Sequence, residues 1–182
     1  MLFRSAFVRA RREVCALIVK GLADGRFPLR VTHNDTKLNN VIMDKKTGEG
    51  LCVIDLDTVM PGSLLYDFGD AIRYGASSAA EDETDLSKVF IKPDLFAAFT
   101  EGYVQGTEGA MTRDETLALP ESARVLTLET GIRFLTDHLS GDTYFRIHHA
   151  GHNLERARNQ FKIVESIEQQ RDALDAIVGK YL

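Results

Sequence analysis

A polar run set between apolar stretches constrains this chain more than any other feature: Thr32-His33-Asn34-Asp35-Thr36-Lys37-Leu38-Asn39-Asn40. Two short apolar segments follow it, Asn40-Val41-Ile42-Met43-Asp44 and Leu51-Cys52-Val53-Ile54-Asp55, and both read as strands. Between them Lys45-Lys46-Thr47-Gly48-Glu49-Gly50 is polar and rich in turn formers, so the pair should close as a hairpin. A hairpin sets Asn40, at the start of the first strand, beside Asp55, at the end of the second. An amide oxygen and a carboxylate brought together in this way suit a hard cation such as Mg²⁺. Asp57 offers a second carboxylate, as a ligand or as an outer group. Asp35 precedes the hairpin and is the candidate general base, a carboxylate able to orient a hydroxyl and take its proton. His33 reads as a packing and hydrogen-bonding residue that shapes the loop.

Beyond this site the pattern is mostly helical. Residues 3–23 repeat apolar positions at three- and four-residue steps, and Gly25 follows, so one helix is expected there. Phe27–Thr32 should be extended, and Pro61-Gly62-Ser63 should be a turn. Residues 76–88 are small and acidic and read as a mobile, solvated loop. Lys92-Pro93-Asp94 opens a helix to about Glu108, with Phe96, Phe99 and Tyr103 as its core face. Leu119-Pro120-Glu121 opens another. A long last helix is expected from Gly151 to Leu182, with His148, His149 and His152 marking its start rather than a metal site. The fold class that results is α+β, mostly helical, with a small β-hairpin carrying the catalytic loop.

Composition narrows the function classes. A length of 182 residues suits a single domain over 1–182. The net charge of -5 argues against a general nucleic-acid footprint. No apolar run reaches the ~18 residues of a membrane span. Arg4, Arg9, Arg11 and Arg12 are interleaved with apolar residues in a helical pattern, unlike a signal peptide. Cys15 and Cys52 form no disulfide framework or zinc pattern, which points to a reducing, cytoplasmic setting.

His33-x-Asp35-x-x-x-x-Asn40 followed by a strand-borne Asp has the spacing of a kinase catalytic loop and its metal-binding Asp, with Asn34 where protein kinases carry Arg. Asp67-Phe68-Gly69 spells the protein-kinase metal motif, but it lies 32 residues after Asp35, whereas Asp55 lies 20 residues after it and ends a strand. The metal role is therefore assigned to Asp55. Asp67 reads as structural, a helix cap or a group holding the catalytic loop. No glycine-rich loop and no strand lysine precede the site. The chain therefore reads as the half of a kinase that holds the chemistry and the acceptor, with the nucleotide-binding lobe absent.

The loop, Ile54-Asp55-Leu56-Asp57 and Gly62-Ser63-Leu64-Leu65-Tyr66-Asp67-Phe68-Gly69 resemble the motifs of aminoglycoside phosphotransferase-type small-molecule kinases, which share the protein-kinase-like fold. The segments Val31–Lys37, Val53–Gly62 and Glu129–Leu139 resemble those of N-acetylhexosamine 1-kinases. The resemblance covers nearly the whole chain, as the C-terminal lobe of that fold. It implies ATP-dependent, Mg²⁺-assisted phosphorylation of the anomeric hydroxyl of N-acetylglucosamine or N-acetylgalactosamine. It further implies Arg133, Tyr144 and Asp55 as acceptor contacts, although Arg133 could instead pair with Glu129, four residues earlier. The alternatives are a kinase of choline, homoserine or an aminoglycoside, and a non-catalytic module that binds an amino sugar or a partner. Partners are expected to be small molecules, with self-association through the apolar face that loss of a lobe would expose.

Overall fold

The computed structural model describes residues 2–182, with side chains from residue 6 onward. In chain order the elements are α1 (Leu2–Arg9), α2 (Leu17–Ala23), β1 (Arg30–Thr32), β2 (Val41–Met43), β3 (Gly50–Val53), β4 (Met60–Gly62) and α3 (Leu64–Gly75). They continue with α4 (Pro93–Gly106), α5 (Arg113–Leu117), α6 (Leu119–Leu139), α7 (His152–Gln169) and α8 (Arg171–Val178). The fold is α+β and mostly helical, as the periodicities require.

α6 runs along both α3 and α7, and these contacts make the centre of the molecule. One cluster joins Leu65, Phe68 and Ile72 of α3 to Phe96, Leu119, Ile163 and Ile167. A second joins Phe7, Leu128, Phe134, Phe161 and Val164. The approach of α3 to α6 depends on Gly69. A Cβ there would stand 2.5 Å from the Ser122 carbonyl oxygen, a backbone atom that cannot rotate away. Phe96 and Tyr103 of the expected α4 stripe pack edge-on to Phe68, with ring centroids 5.7 and 5.3 Å away.

The hairpin forms as β2–β3, with Val41 opposite Val53 and Ile42 opposite Cys52. The Asp44 carboxylate accepts from the Lys46 and Thr47 N–H groups and shapes its turn.

Four expectations need correction. Pro61-Gly62 is not a turn: Met60–Gly62 is a strand pairing antiparallel with β1, Val31 opposite Pro61. A two-stranded ribbon tolerates the missing proline N–H, and the chain turns only at Ser63, whose hydroxyl caps α3 by accepting from the Leu65 N–H. The N-terminal helix is broken between α1 and α2. Arg11 pairs with Glu168 at 2.6 Å and donates to the Phe7 carbonyl, while its own N–H bonds Val8, so the backbone tightens into three-residue turns. The last helix breaks at Gln170, whose amide donates to Ile91 O and Ser166 Oγ instead of lying on a helix surface. Finally, residues 76–88 are pinned rather than loose. Ser77 bridges Ile91, Glu81 pairs with Arg73 at 2.9 Å, and Asn159 donates to the Ala80 carbonyl.

Candidate active site

The loop carrying Asp35 is built on a left-handed backbone at Asn34, φ 63°, a conformation that Asn tolerates better than most residues. Asp67, in the first turn of α3, holds that shape. Its two carboxylate oxygens accept from the His33 and Asn34 N–H groups at 2.9 and 2.7 Å. Burial pushes the Asp67 carboxyl above its ordinary range, against the lowering effect of those two N–H donors. Thr58 closes the other side, its hydroxyl donating to the His33 carbonyl at 2.5 Å while Asn34 Nδ2 donates to the Thr58 carbonyl at 3.0 Å. Gly62 lies at the back of the loop, where a Cβ would meet Thr32 Oγ1 at 2.5 Å and displace the hydroxyl from the Met60 carbonyl it donates to.

His33 ties the loop to the second strand. Its Nε2 donates to the Ile54 carbonyl at 3.0 Å, and its Nδ1 accepts from the Asp35 N–H at 3.3 Å. Ile54 in turn donates its N–H to the Asn40 carbonyl at 2.9 Å. The expected juxtaposition of Asn40 with the strand end therefore forms through backbone and imidazole bonds. Asp55 follows directly, itself left-handed at φ 62° and exposed; Asp57 lies in the next short turn, also exposed.

Asp35 keeps one oxygen free. Its Oδ2 receives Asn40 Nδ2 at 2.7 Å and Lys37 Nζ at 2.9 Å, while Oδ1 takes no hydrogen bond among the described residues. Burial pushes this carboxyl up, but the bonds from Lys37 and Asn40, with the Lys37 charge, outweigh it and hold it below the ordinary carboxylate range. Asp35 is thus ionised at neutral pH and able to accept a proton.

Among the described residues no three His, Cys, Asp or Glu side chains gather into a self-sufficient metal cage. The donor set still fits Mg²⁺, which takes one or two carboxylates and completes its shell with phosphates and water. The Asn40 amide is turned with its nitrogen on Asp35, so its oxygen takes no bond among the described residues, and the Asp55 carboxylate is exposed and likewise unpaired.

Beside Asp35 opens a cavity of about 610 Å³. α3 supplies Tyr66, Asp70 and Arg73, α6 supplies Glu129, Arg133 and Phe134, and Arg156 comes from α7. Arg133 lines it, and no ion pair with Glu129 forms, although both face the cavity. Tyr144 lies outside, 74% exposed, with the Arg133 guanidinium carbon 6.0 Å from its ring centre; Phe145 takes the wall position instead. The segment bearing both rings is fixed by Asp137, whose carboxylate accepts from the Thr143, Tyr144 and Phe145 N–H groups at 2.8–3.0 Å and from Asn153.

Sequence reasoning missed Lys37, Asp70, Arg73, Glu81 and Arg156 as cavity residues. Lys37 sits inside the loop motif, and Asp70 and Arg73 share a face of α3 at an i, i+3 step, so a signal existed for those three. Glu81 and Arg156 meet only through the tertiary fold. His152 is the first residue of α7, buried, with Nε2 3.4 Å from Asp82 Oδ2.

A family model described as the phosphotransferase enzyme family matches residues 4–113, more than half of the chain. The chain belongs to that family, and its fold is that of a C-terminal, kinase-like lobe. The match takes in Asp35, Asn40, Asp55, Asp57 and Asp67. It stops short of the α6 and α7 wall that completes the cavity.

Proposed function

We propose that this phosphotransferase lobe moves the terminal phosphoryl group of ATP to the anomeric hydroxyl of an N-acetylhexosamine, with Asp35 as the base. The observation that carries the reading is the cavity beside the free oxygen of Asp35. Its charged side chains are Lys37, Arg73, Arg133, Arg146 and Arg156 against Asp35, Asp70, Glu81 and Glu129. Such near-balanced, hydrogen-bonding walls suit a neutral polyhydroxyl acceptor. A polycationic aminoglycoside calls for a wall dominated by acids, and choline calls for an aromatic cage.

In this reading the acceptor hydroxyl approaches Asp35 Oδ1. Lys37 and Asn40 keep Oδ2 occupied, which fixes the carboxylate and keeps it ionised. Arg133 donates to ring or acetamide oxygens. Tyr144, outside the cavity, and Asp55 are proposed contacts for the outer part of the acceptor. When bound, Mg²⁺ supplies charge neutralisation on the transferring phosphates, and Asn40 and Asp55, with Asp57 beside them, are the residues proposed to hold it. The free cysteines Cys15 and Cys52 support a reducing, cytoplasmic setting. No helix among the described residues is long and apolar enough to cross a membrane.

The test is ADP release by the purified chain with Mg-ATP and, in turn, N-acetylglucosamine, N-acetylgalactosamine, choline, homoserine and an aminoglycoside. ³¹P NMR identifies the product. Formation of a sugar 1-phosphate that Asp35→Asn abolishes supports the reading. Transfer to another alcohol overturns the acceptor assignment. Saturable sugar binding without transfer would leave the chain as an amino-sugar-binding module.

A further inference from the structure

We infer that the acceptor cavity continues into a second compartment that takes another neutral, hydroxyl- or amide-bearing unit of the acceptor, a second sugar ring. This rests on the proposed reading of the first cavity as the acceptor site.

A second cavity of about 440 Å³ lies between α7 and the pinned 77–82 segment. It shares Arg73, Tyr74, Glu81 and Arg156 with the first, so the two adjoin on either side of one wall. That wall is an ionic bridge: Asp70 to Arg73 at 2.7 Å, Arg73 to Glu81 at 2.9 Å, and Glu81 to Arg156 at 3.9 Å. Its roof is held by the main chain, through Asn159 to the Ala80 carbonyl and Ser78 to the Phe90 carbonyl.

Three buried polar atoms along this path make no hydrogen bond among the described residues: Asp70 Oδ2, Gln160 Oε1 and Arg156 Nε, which faces the Glu81 carboxylate only at 3.9 Å. Buried polar atoms are rarely left so, because the desolvation is not repaid. Gln160 is 1% exposed and lines the second cavity; its amide nitrogen is used on Asn159, leaving the oxygen without a donor. Asp70 is 8% exposed and lines the first. Two acceptors and one donor therefore wait along a path that crosses both compartments. Hydroxyls satisfy both kinds, since each donates and accepts. The charges around the second cavity, Arg73 and Arg156 against Glu81 and Asp82, oppose one another, which favours an uncharged ligand. Ala79, Ala80 and Ile163 offer small apolar surface for the C–H face of a ring.

Isothermal titration of the whole chain with N-acetylglucosamine and with N,N′-diacetylchitobiose tests this. The disaccharide is expected to bind at least about fivefold tighter, as one further net hydrogen bond gives. Gln160→Leu removes the unpartnered oxygen, and Ala80→Phe, at an exposed position whose carbonyl contacts are kept, fills the compartment. Either should bring the affinity ratio of the two sugars towards one, with circular dichroism melting confirming the fold. Equal affinities in the wild type, or a ratio that neither variant changes, overturn the second compartment and leave the acceptor reading standing. Failure of both sugars to bind overturns both.

Discussion

In the helical part of the molecule Leu65, Ile72, Phe96, Leu119 and Leu128 are wholly withdrawn from solvent, whereas in the ribbons Val31, Leu51, Val53 and Met60 stand more than half exposed. The helices are held by packing. The ribbons, which carry Asn40 and lead into Asp55, are held by hydrogen bonds from the loop between them: Asp67 to two backbone N–H groups, Thr58 to His33, His33 to Ile54. The candidate site is thus mounted on the thinly packed region and aimed by polar bonds anchored in α3. Stability and activity should therefore respond to different residues, and the apolar ribbon face is proposed to be the surface through which copies of the chain associate.

The largest stability effect should come from the packed side. Phe68→Ala empties a site between Phe96 and Tyr103 and is expected to cost about 3–5 kcal/mol, read from urea unfolding. Asp67→Ala should divide the two regions more sharply. Leaving the His33 and Asn34 N–H groups unsatisfied costs about 1–3 kcal/mol of stability, yet the left-handed turn at Asn34 loses its anchor and phosphoryl transfer should collapse. Asp35→Asn should show the reverse balance, with transfer down by about 10²-fold or more and the unfolding midpoint hardly moved. An intact rate in Asp67→Ala would mean that packing, not these bonds, sets the loop.

Acid should loosen the packed side through its partly buried ion pairs. Burial pushes the Glu115 and Glu168 carboxyls up, but Arg30 and the Thr112 cap for the first, and Arg11 and Arg124 for the second, hold both below the ordinary range. Their contribution is fully present above the unfolded carboxylate pKa of about 4.3 and is lost as pH falls through the lower folded values. Thermal midpoints should therefore drop below about pH 4, and Arg30→Met should shrink that drop. For Asp35 the same sign applies to activity: its ionisation should not limit transfer until the pH is below the ordinary carboxylate range. The smallest effect is expected at Val31→Ser, 81% exposed. Stability should move by no more than about 0.5 kcal/mol, while self-association measured by sedimentation should weaken.

Much of the shape of the Asp35 loop could be read in the sequence because its parts are close along the chain. Asp35, Asn40 and Asp55 sit on one loop and one hairpin, and the turn chemistry of Asp44 to Gly48 fixes how they meet. The reading of Asp67 as structural rested on its spacing and on the turn into a helix before it; its carboxylate accepts from the His33 and Asn34 N–H groups. Arg133 was placed on the correct helix, but whether it faced Glu129 or the cavity depended on what packed around α6. The pinned 76–88 segment was misread because its composition is that of a solvated loop, and the Arg73, Arg156 and Asn159 side chains that hold it come from two different helices.

Periodicity and turn residues, which act over a few positions, thus determined the helical content, the hairpin and the placing of Asp35 and Asn40 beside it. Tertiary structure alone decided the rest. It broke the first and last helices where Arg11 and Gln170 found distant partners, and it drew Met60–Gly62 into a ribbon with Arg30–Thr32. It also closed the cavity beside Asp35 with Phe145, Arg146 and Arg156, each more than a hundred residues further along the chain. Those choices turn on ion pairs, buried amides and close backbone approaches between segments remote in the chain, and no local pattern records such contacts.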